Sequence, residues 1–342
     1  MDVPQMKSKL KYYGAETLRG IHAFVPEKEP KYYLYNLILD YPNRGGKGFR
    51  PGLCIASCKA HGGQLHQAKF TAVTLEMLHN AFLIHDDVED ESAYRRNKPT
   101  MHSAHSRAIA INVGDMMNAL SLYPLWRNKE LLGDKLAQRI FLEVYHLITE
   151  SAEGQALELG WRQDNRCDLT EKDYLRMILK KTCWYTCIQP IRIGALIGSN
   201  GVLNPDSFNR LGYFMGAAFQ IQDDILNLIG EESAYGKEIG GDIIEGKRTL
   251  MLIHLLSECT SEERHFIKGY LGTPMLGRDL ADAKQILDLM HQYKSIDHAK
   301  KTSQYLAGAA LKEFYTHFSH LKDSEDKAFL ETIIMYMINR DY

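Results

Sequence analysis

The stretch FTAVTLEMLHNAFLIHDDVED, Phe70 to Asp90, decides the fold class. Val73, Met77, Ala81 and Ile84 recur three or four residues apart, the spacing of one apolar face on a helix. The same spacing runs through LAQRIFLEVYHLITESAEGQALEL (136–159) and FNRLGYFMGAAFQIQDDILNLI (208–229). Sustained period-two alternation is absent, and no Asn-Gly type of hairpin signal separates apolar runs. Clusters of Gly, Pro and Asn punctuate the pattern at DYPNRGGKG, NKPT, GSNGVLNPDS, GEESAYGKEIGGDIIEGK and LGTPMLG. The expectation is an all-α fold, a bundle of about a dozen helices around a deep central cavity. One domain is expected to cover residues 1–342. The longest expected loop runs for 18 residues, from Gly230 to Lys247, and is placed as a lid over a site.

Composition narrows the function classes. Of 342 residues, 45% are hydrophobic, enough for a substantial core. Lys plus Arg number 41 against 43 Asp plus Glu, a net charge of −2, which argues against a general nucleic-acid binder. Any charge function must therefore be local. Six cysteines, none in a CxxC pair, read as buried small hydrophobes and fit a reducing, cytoplasmic setting. No apolar run approaches the roughly 20 residues that span a bilayer, and the N-terminus lacks an apolar signal core.

The carboxylates carry the functional signal. At about 100° per residue, Asp86 and Asp90 share a helix face and Asp87 flanks them. Such a cluster on a polar helix is ordinarily a solvated stripe. Here it follows AFLIH on the same helix, so it reads as a cluster at the mouth of a cavity. Hard oxygen donors of this kind suit Mg²⁺ shared with substrate phosphates. FQIQDDILN repeats the pattern with Asp223, Asp224 and Asn227 at the end of a second apolar helix. Two such helices facing each other would hold divalent ions between them, and a diphosphate is the natural ligand of such ions. Adjacent Arg95 and Arg96 would bind phosphate oxygens directly. GGKGFRP places Lys47 and Arg50 beside glycines that expose backbone N–H groups, without forming a Walker A loop.

Taken together, these motifs resemble the trans-isoprenyl diphosphate synthases, also called polyprenyl synthetases. The elements stand in that family's order: GGKGFRP, Glu76 with His79, DDVED, Arg95-Arg96, Gly154-Gln155, Lys181-Thr182, FQIQDD, and the segment from Lys237 through Asp242 to Lys247. The resemblance implies prenyl transfer, in which isopentenyl diphosphate couples to an allylic diphosphate (dimethylallyl, geranyl or farnesyl). It implies that Asp86, Asp87, Asp90, Asp223 and Asp224 hold magnesium, three ions per active site, with manganese as a substitute. Arg95, Lys181 and Lys237 would contact the allylic diphosphate, and Lys47, Arg50, His79 and Arg96 the isopentenyl diphosphate. Thr182 and Gln220 would face the allylic carbon, Gln155 would line the cavity, and Asp242 and Lys247 would belong to the closing segment. A homodimer is also implied.

Two departures stand out. Asn227 ends the second aspartate motif where the family has Asp, and Asn97 follows Arg96 where the family usually has Gly. A class I terpene cyclase is the rival, since it shares the fold and the aspartates. It has no need of an isopentenyl diphosphate site, and Lys47, Arg50, His79 and Arg96 are all present, which favours coupling. Product length in this family is set beneath the first aspartates, here at Ala81 and Phe82, with Met77, Leu78, Met116, Met117 and Leu120 deeper. A small Ala81 favours a C20 product, geranylgeranyl diphosphate. Farnesyl diphosphate is the alternative, then C25 or longer chains.

Overall fold

A computed structural model describes residues 1–229 and 240–338. The described residues are helical almost throughout. The principal helices are α1 (Val3–Phe24), α2 (Phe49–Ala60), α3 (Leu65–Glu89), α4 (Arg107–Leu132) and α5 (Asp134–Gln163). Next come α6 (Glu171–Ile178), a π-helical stretch (Leu179–Ile188) and α7 (Gln189–Gly198), which form one rod. Then follow α8 (Asn209–Ile229), α9 (Gly241–Glu245), α10 (Leu250–Glu258), α11 (Ser261–Gly272), α12 (Leu280–Gln292), α13 (Ser295–Phe318) and α14 (Glu325–Ile338). Local chemistry sets several starts. Ser106 caps α4 by accepting from Ile109 N–H, and Thr170 with Asp173 forms a capping box at α6.

The rod runs through the middle of the molecule. On one side it meets α2 so closely that a Cβ on Gly194 would lie 2.3 Å from the Cys54 carbonyl oxygen. One apolar cluster joins α2, α7 and α14 through Leu53, Ile193 and Phe329, and a second joins α8, α10 and α13 through Ile225, Leu252 and Leu306. A third, between α3 and α4, contains Met77, Ala81, Val113 and Met117. Cys54, Cys58, Cys183, Cys187 and Cys259 are buried free thiols, as expected, and Cys167 is half-buried. No helix among the described residues is long and apolar enough to cross a membrane.

Two local expectations need correction. A short β-ribbon interrupts the helices, with β1 (Tyr94–Arg95) antiparallel to β2 (Lys98–Pro99). Its turn residues Arg96 and Asn97 have φ of 53° and 60°, the left-handed pair that a tight hairpin requires. Asn97 thus adopts the conformation that Gly would adopt there. The expected loop from Gly230 to Lys247 also contains α9, and its first ten residues, 230–239, lie outside the described ones.

The two ends of the described chain meet over α2. Asp326 of α14 is buried, accepts a hydrogen bond from the Tyr13 hydroxyl of α1, and lies 3.1 Å from Lys9 and 2.8 Å from Lys59. Removing one partner of such a network leaves the others uncompensated. Asp326→Ala is expected to cost about 3 kcal/mol, read as a lower midpoint in urea denaturation with an unchanged slope.

Candidate active site

The C-terminal end of α3, the π stretch, α8 and the residues around α9 enclose a cavity of about 490 Å³. Lys47, Arg50, His79, Asp86, Arg95, Arg96, Lys181, Thr182, Gln220, Asp223, Asp224 and Lys247 all line it. Residues scattered over 200 positions therefore meet in one place, as their motifs imply. Lys237 lies outside the described residues.

One wall is acidic and braced by cations. The Lys181 ammonium lies 3.3 Å from Asp86 Oδ1 and 2.7 Å from Glu158. Burial opposes the charge on Lys181, but these carboxylates outweigh it and hold its pKa above the ordinary value. Asp90 does not line the cavity directly. It is buried between Arg162, at 2.5 Å, and Lys247, at 3.1 Å. Burial disfavours its charge too, yet Lys247, Lys181 and Arg162 prevail and keep the carboxyl below its usual range. Lys247 also lies 2.6 Å from Glu245 and 3.4 Å from Asp242. Gln155 sits behind this wall, where its Nε2 donates to Asp86 Oδ1 at 3.2 Å and to Glu89 at 2.5 Å.

Two aspartates are engaged in buried hydrogen-bond networks, Asp87 away from the cavity and Asp224 at its lining. Asp87, one residue round the helix from Asp86, is fully buried and accepts from Tyr41 Oη at 2.6 Å and from Arg95 Nε at 2.9 Å. Asp224 accepts from Tyr174 Oη and from Gln220 Nε2, both at 2.7 Å. Burial and the nearby Asp242 push its carboxyl well above the usual range. The network continues outward. The Thr182 hydroxyl donates to Gln220 Oε1 at 2.9 Å, so the lone pairs of Thr182 remain for the cavity. Among the described residues no three carboxylate, imidazole or thiol groups converge as a ready-made metal nest. Asp86, Asp223 and Asp224 line the cavity as hard oxygen donors, a set that fits a divalent cation shared with a bound phosphate.

The other wall is cationic. Arg50 stacks over the Tyr185 ring with Cζ 4.2 Å from its centroid and donates to Thr186 Oγ1 at 2.9 Å. Arg96 donates to the Tyr41 carbonyl at 2.9 Å, and its guanidinium lies against Gly46. His79 is held well below its ordinary pKa by burial and by Arg50, Arg96 and Arg95. Its neutral ring keeps a buried Nδ1, and Arg50 a buried Nε, that nothing among the described residues satisfies. Orphaned polar atoms facing one cavity point to a polar ligand.

Sequence reasoning missed several participants. Glu158, Tyr174, Tyr185 and Arg44 line the cavity, and Arg162 holds Asp90 from behind. Glu158 stands three residues after Gln155, nearly one helical turn on, which is the signal that could have found it. Asn227 is explained by position. Its Oδ1 accepts from Asp242 N–H at 3.0 Å and its carbonyl from Gly240 N–H at 2.7 Å. An amide performs that anchoring without a negative charge.

Known proteins resemble this chain over most of its length. Residues 31–290 match the family model described as polyprenyl synthetase. A geranylgeranyl diphosphate synthase of Saccharolobus solfataricus is 35% identical over 268 residues, 76% of this chain and 77% of its own. An all-trans-nonaprenyl-diphosphate synthase of Rhodobacter capsulatus is 34% identical over 259 residues, 75% of each chain. The solved geranylgeranyl pyrophosphate synthetase of Pyrococcus horikoshii superposes with a TM-score of 0.87 at 28% identity, covering 98% of this chain and 99% of that one.

Lys181 and Thr182 owe their placement to the π stretch, whose i→i+5 bonding widens the turn. α5 touches that stretch at Gly154, where a Cβ would lie 2.1 Å from Lys181 N. Gly154→Ala is expected to push the two apart and lower turnover about tenfold or more. Circular dichroism should show the helical content retained.

Proposed function

The chain belongs to the polyprenyl synthetase family and is a prenyltransferase that condenses prenyl diphosphates; from that premise we propose that it couples isopentenyl diphosphate to an allylic diphosphate to give geranylgeranyl diphosphate. The observation that carries this reading is the two-sided cavity. An acidic wall braced by Lys181 and Lys247 faces a cationic wall of Lys47, Arg50, His79 and Arg96. A cyclase acting on a single diphosphate would leave the second wall without a ligand.

In this reading Asp86 and Asp223 would hold magnesium with the allylic diphosphate at the cavity lining, and Asp90 from behind it, while Asp87 and Asp224 position their neighbours from buried hydrogen-bond networks. Magnesium, when bound, supplies positive charge against the departing diphosphate. Lys181, Lys247 and Arg95 add fixed cations where negative charge develops as the allylic C–O bond breaks. Lys237 is assigned the same task by its place in the motif. The Thr182 hydroxyl presents lone pairs to the allylic carbon, with its proton committed to Gln220. The double bond of isopentenyl diphosphate, anchored on the cationic wall, attacks that carbon. A proton then leaves, taken by the released diphosphate.

Relatives named for geranylgeranyl and nonaprenyl products bracket the chain length. A C20 product fits Phe82, whose ring meets the cavity-lining Tyr185 edge-on at 5.6 Å, while Ala81 is buried toward α4. Exposed Ile111, Leu122 and Trp126 on α4 and Phe141, Leu142 and Tyr145 on α5 support a homodimer. The chain acts as one domain, and its free thiols fit the cytoplasm.

Purified protein with Mg²⁺, isopentenyl diphosphate and each allylic diphosphate in turn should yield a linear C20 diphosphate by mass spectrometry. A cyclic hydrocarbon formed without isopentenyl diphosphate would refute coupling. Asp86→Ala should lower turnover on the order of a hundred- to a thousandfold without changing the circular dichroism spectrum. Ala81→Phe should shorten the product to C15, and an unchanged length would place the floor of the cavity elsewhere.

A further inference from the structure

Lys247 reaches Asp90 from a short backbone segment, and one of the side chains that fix that segment lies outside the cavity. Arg278 follows a 3-10 turn (Met275–Gly277) between α11 and α12 and does not line the cavity. Its Nε donates to the Thr273 carbonyl at 3.0 Å, Nη2 to the Leu271 carbonyl at 2.9 Å, and Nη1 to the Ile244 carbonyl. The Leu271 and Ile244 carbonyls belong to the last turns of α11 and α9, where backbone acceptors lack helical donors. One guanidinium thus ties together the C-terminal ends of two helices, a place that also favours a cation.

Its grip falls next to Lys247. Gly246 has φ of +74°, and a Cβ there would lie 2.6 Å from Arg278 Nη1. The guanidinium therefore rests against the Gly246 backbone. From another side Arg248 donates to the Gly246 carbonyl, and its Nε and Nη2 reach Arg166 O at 3.0 Å and Asn165 Oδ1 at 2.8 Å. We propose that Arg278 is a positioning residue for prenyl transfer: it fixes the Ile244–Gly246 backbone and thereby aims the Lys247 ammonium at the Asp90 wall. Lysine at 278 would keep the charge but could not bridge three carbonyls with a planar fork. The inference rests on the role assigned to Lys247 above.

The test is steady-state kinetics of Arg278→Ala, Arg278→Lys, Lys247→Ala and the Lys247→Ala/Arg278→Ala double variant, with melting temperatures alongside. Arg278→Ala should raise KM for the allylic diphosphate about tenfold, the scale of an outer support. KM for isopentenyl diphosphate, bound at the other wall, should stay within about twofold. Arg278→Lys should behave like the Ala variant, and it stands in should Arg278→Ala fail to accumulate as folded protein. In the Lys247→Ala background, loss of Arg278 should add nothing further. Equal losses for both substrates, full additivity in the double variant, or wild-type kinetics would each overturn the proposal. Were the wild type to consume the allylic diphosphate alone, the coupling reading would fall. The Arg278 comparison would still stand on that substrate, because Lys247 faces it in either chemistry.

Discussion

Carboxylates gathered at the wrong end of a helix are the constraint from which the rest of the architecture follows. Asp86, Asp87 and Asp90 sit at the C-terminal end of α3, where the helix dipole already disfavours negative charge. Burying them without compensation would cost several kcal/mol per ion. The fold answers by bringing a cation from a different element to each. The π stretch brings Lys181 to Asp86, the ribbon brings Arg95 to Asp87, and α5 with the segment after α9 brings Arg162 and Lys247 to Asp90. These cations join separate elements around the carboxylates that line and back the acidic wall. In the proposed reaction a diphosphate would meet an existing charge arrangement instead of creating one.

The two walls differ in how their charges are balanced. The acidic wall is neutralised by protein cations, whereas the cationic wall retains polar atoms at His79 and Arg50 that nothing among the described residues meets. In the proposed reaction that asymmetry sorts the substrates. The diphosphate that must leave goes to the side able to recruit metal, and the diphosphate that must stay goes to the side built of fixed donors. A neutral His79 among arginines serves the second role as a donor whose own charge does not add to the local repulsion.

Much of this was legible in the sequence, and the limits have physical reasons. Apolar periodicity gave the helical class, and motif order gave the residues that meet in the cavity. Periodicity could place Asp87 about 100° from Asp86, but not say that Tyr41, 46 residues earlier, would be waiting there. Arg162 was equally invisible, because its partner lies 72 residues away. The ribbon escaped notice because Arg96-Asn97 is not a usual hairpin pair, and the π stretch because no composition signals it. It packs closely on α5 at Gly154. Arg278 belongs to no motif at all, since a side chain that bonds only backbone carbonyls leaves no pattern of partner residues to read.

The clasp between α1 and α14 bears on how the chain is made. Tyr13 and Asp326 are 313 positions apart, and the Met1 carbonyl accepts from Thr332 Oγ1 at 2.9 Å. At ordinary ribosomal speeds of about 5–20 residues per second, α1 waits on the order of half a minute for α14 to emerge. During that time Met6, Leu10 and Tyr13, all buried in the finished protein, have no C-terminal helix to cover them. The face of α1 thus gains its α2 and α3 neighbours early, at Gly52 and Val73, and its α14 cover last.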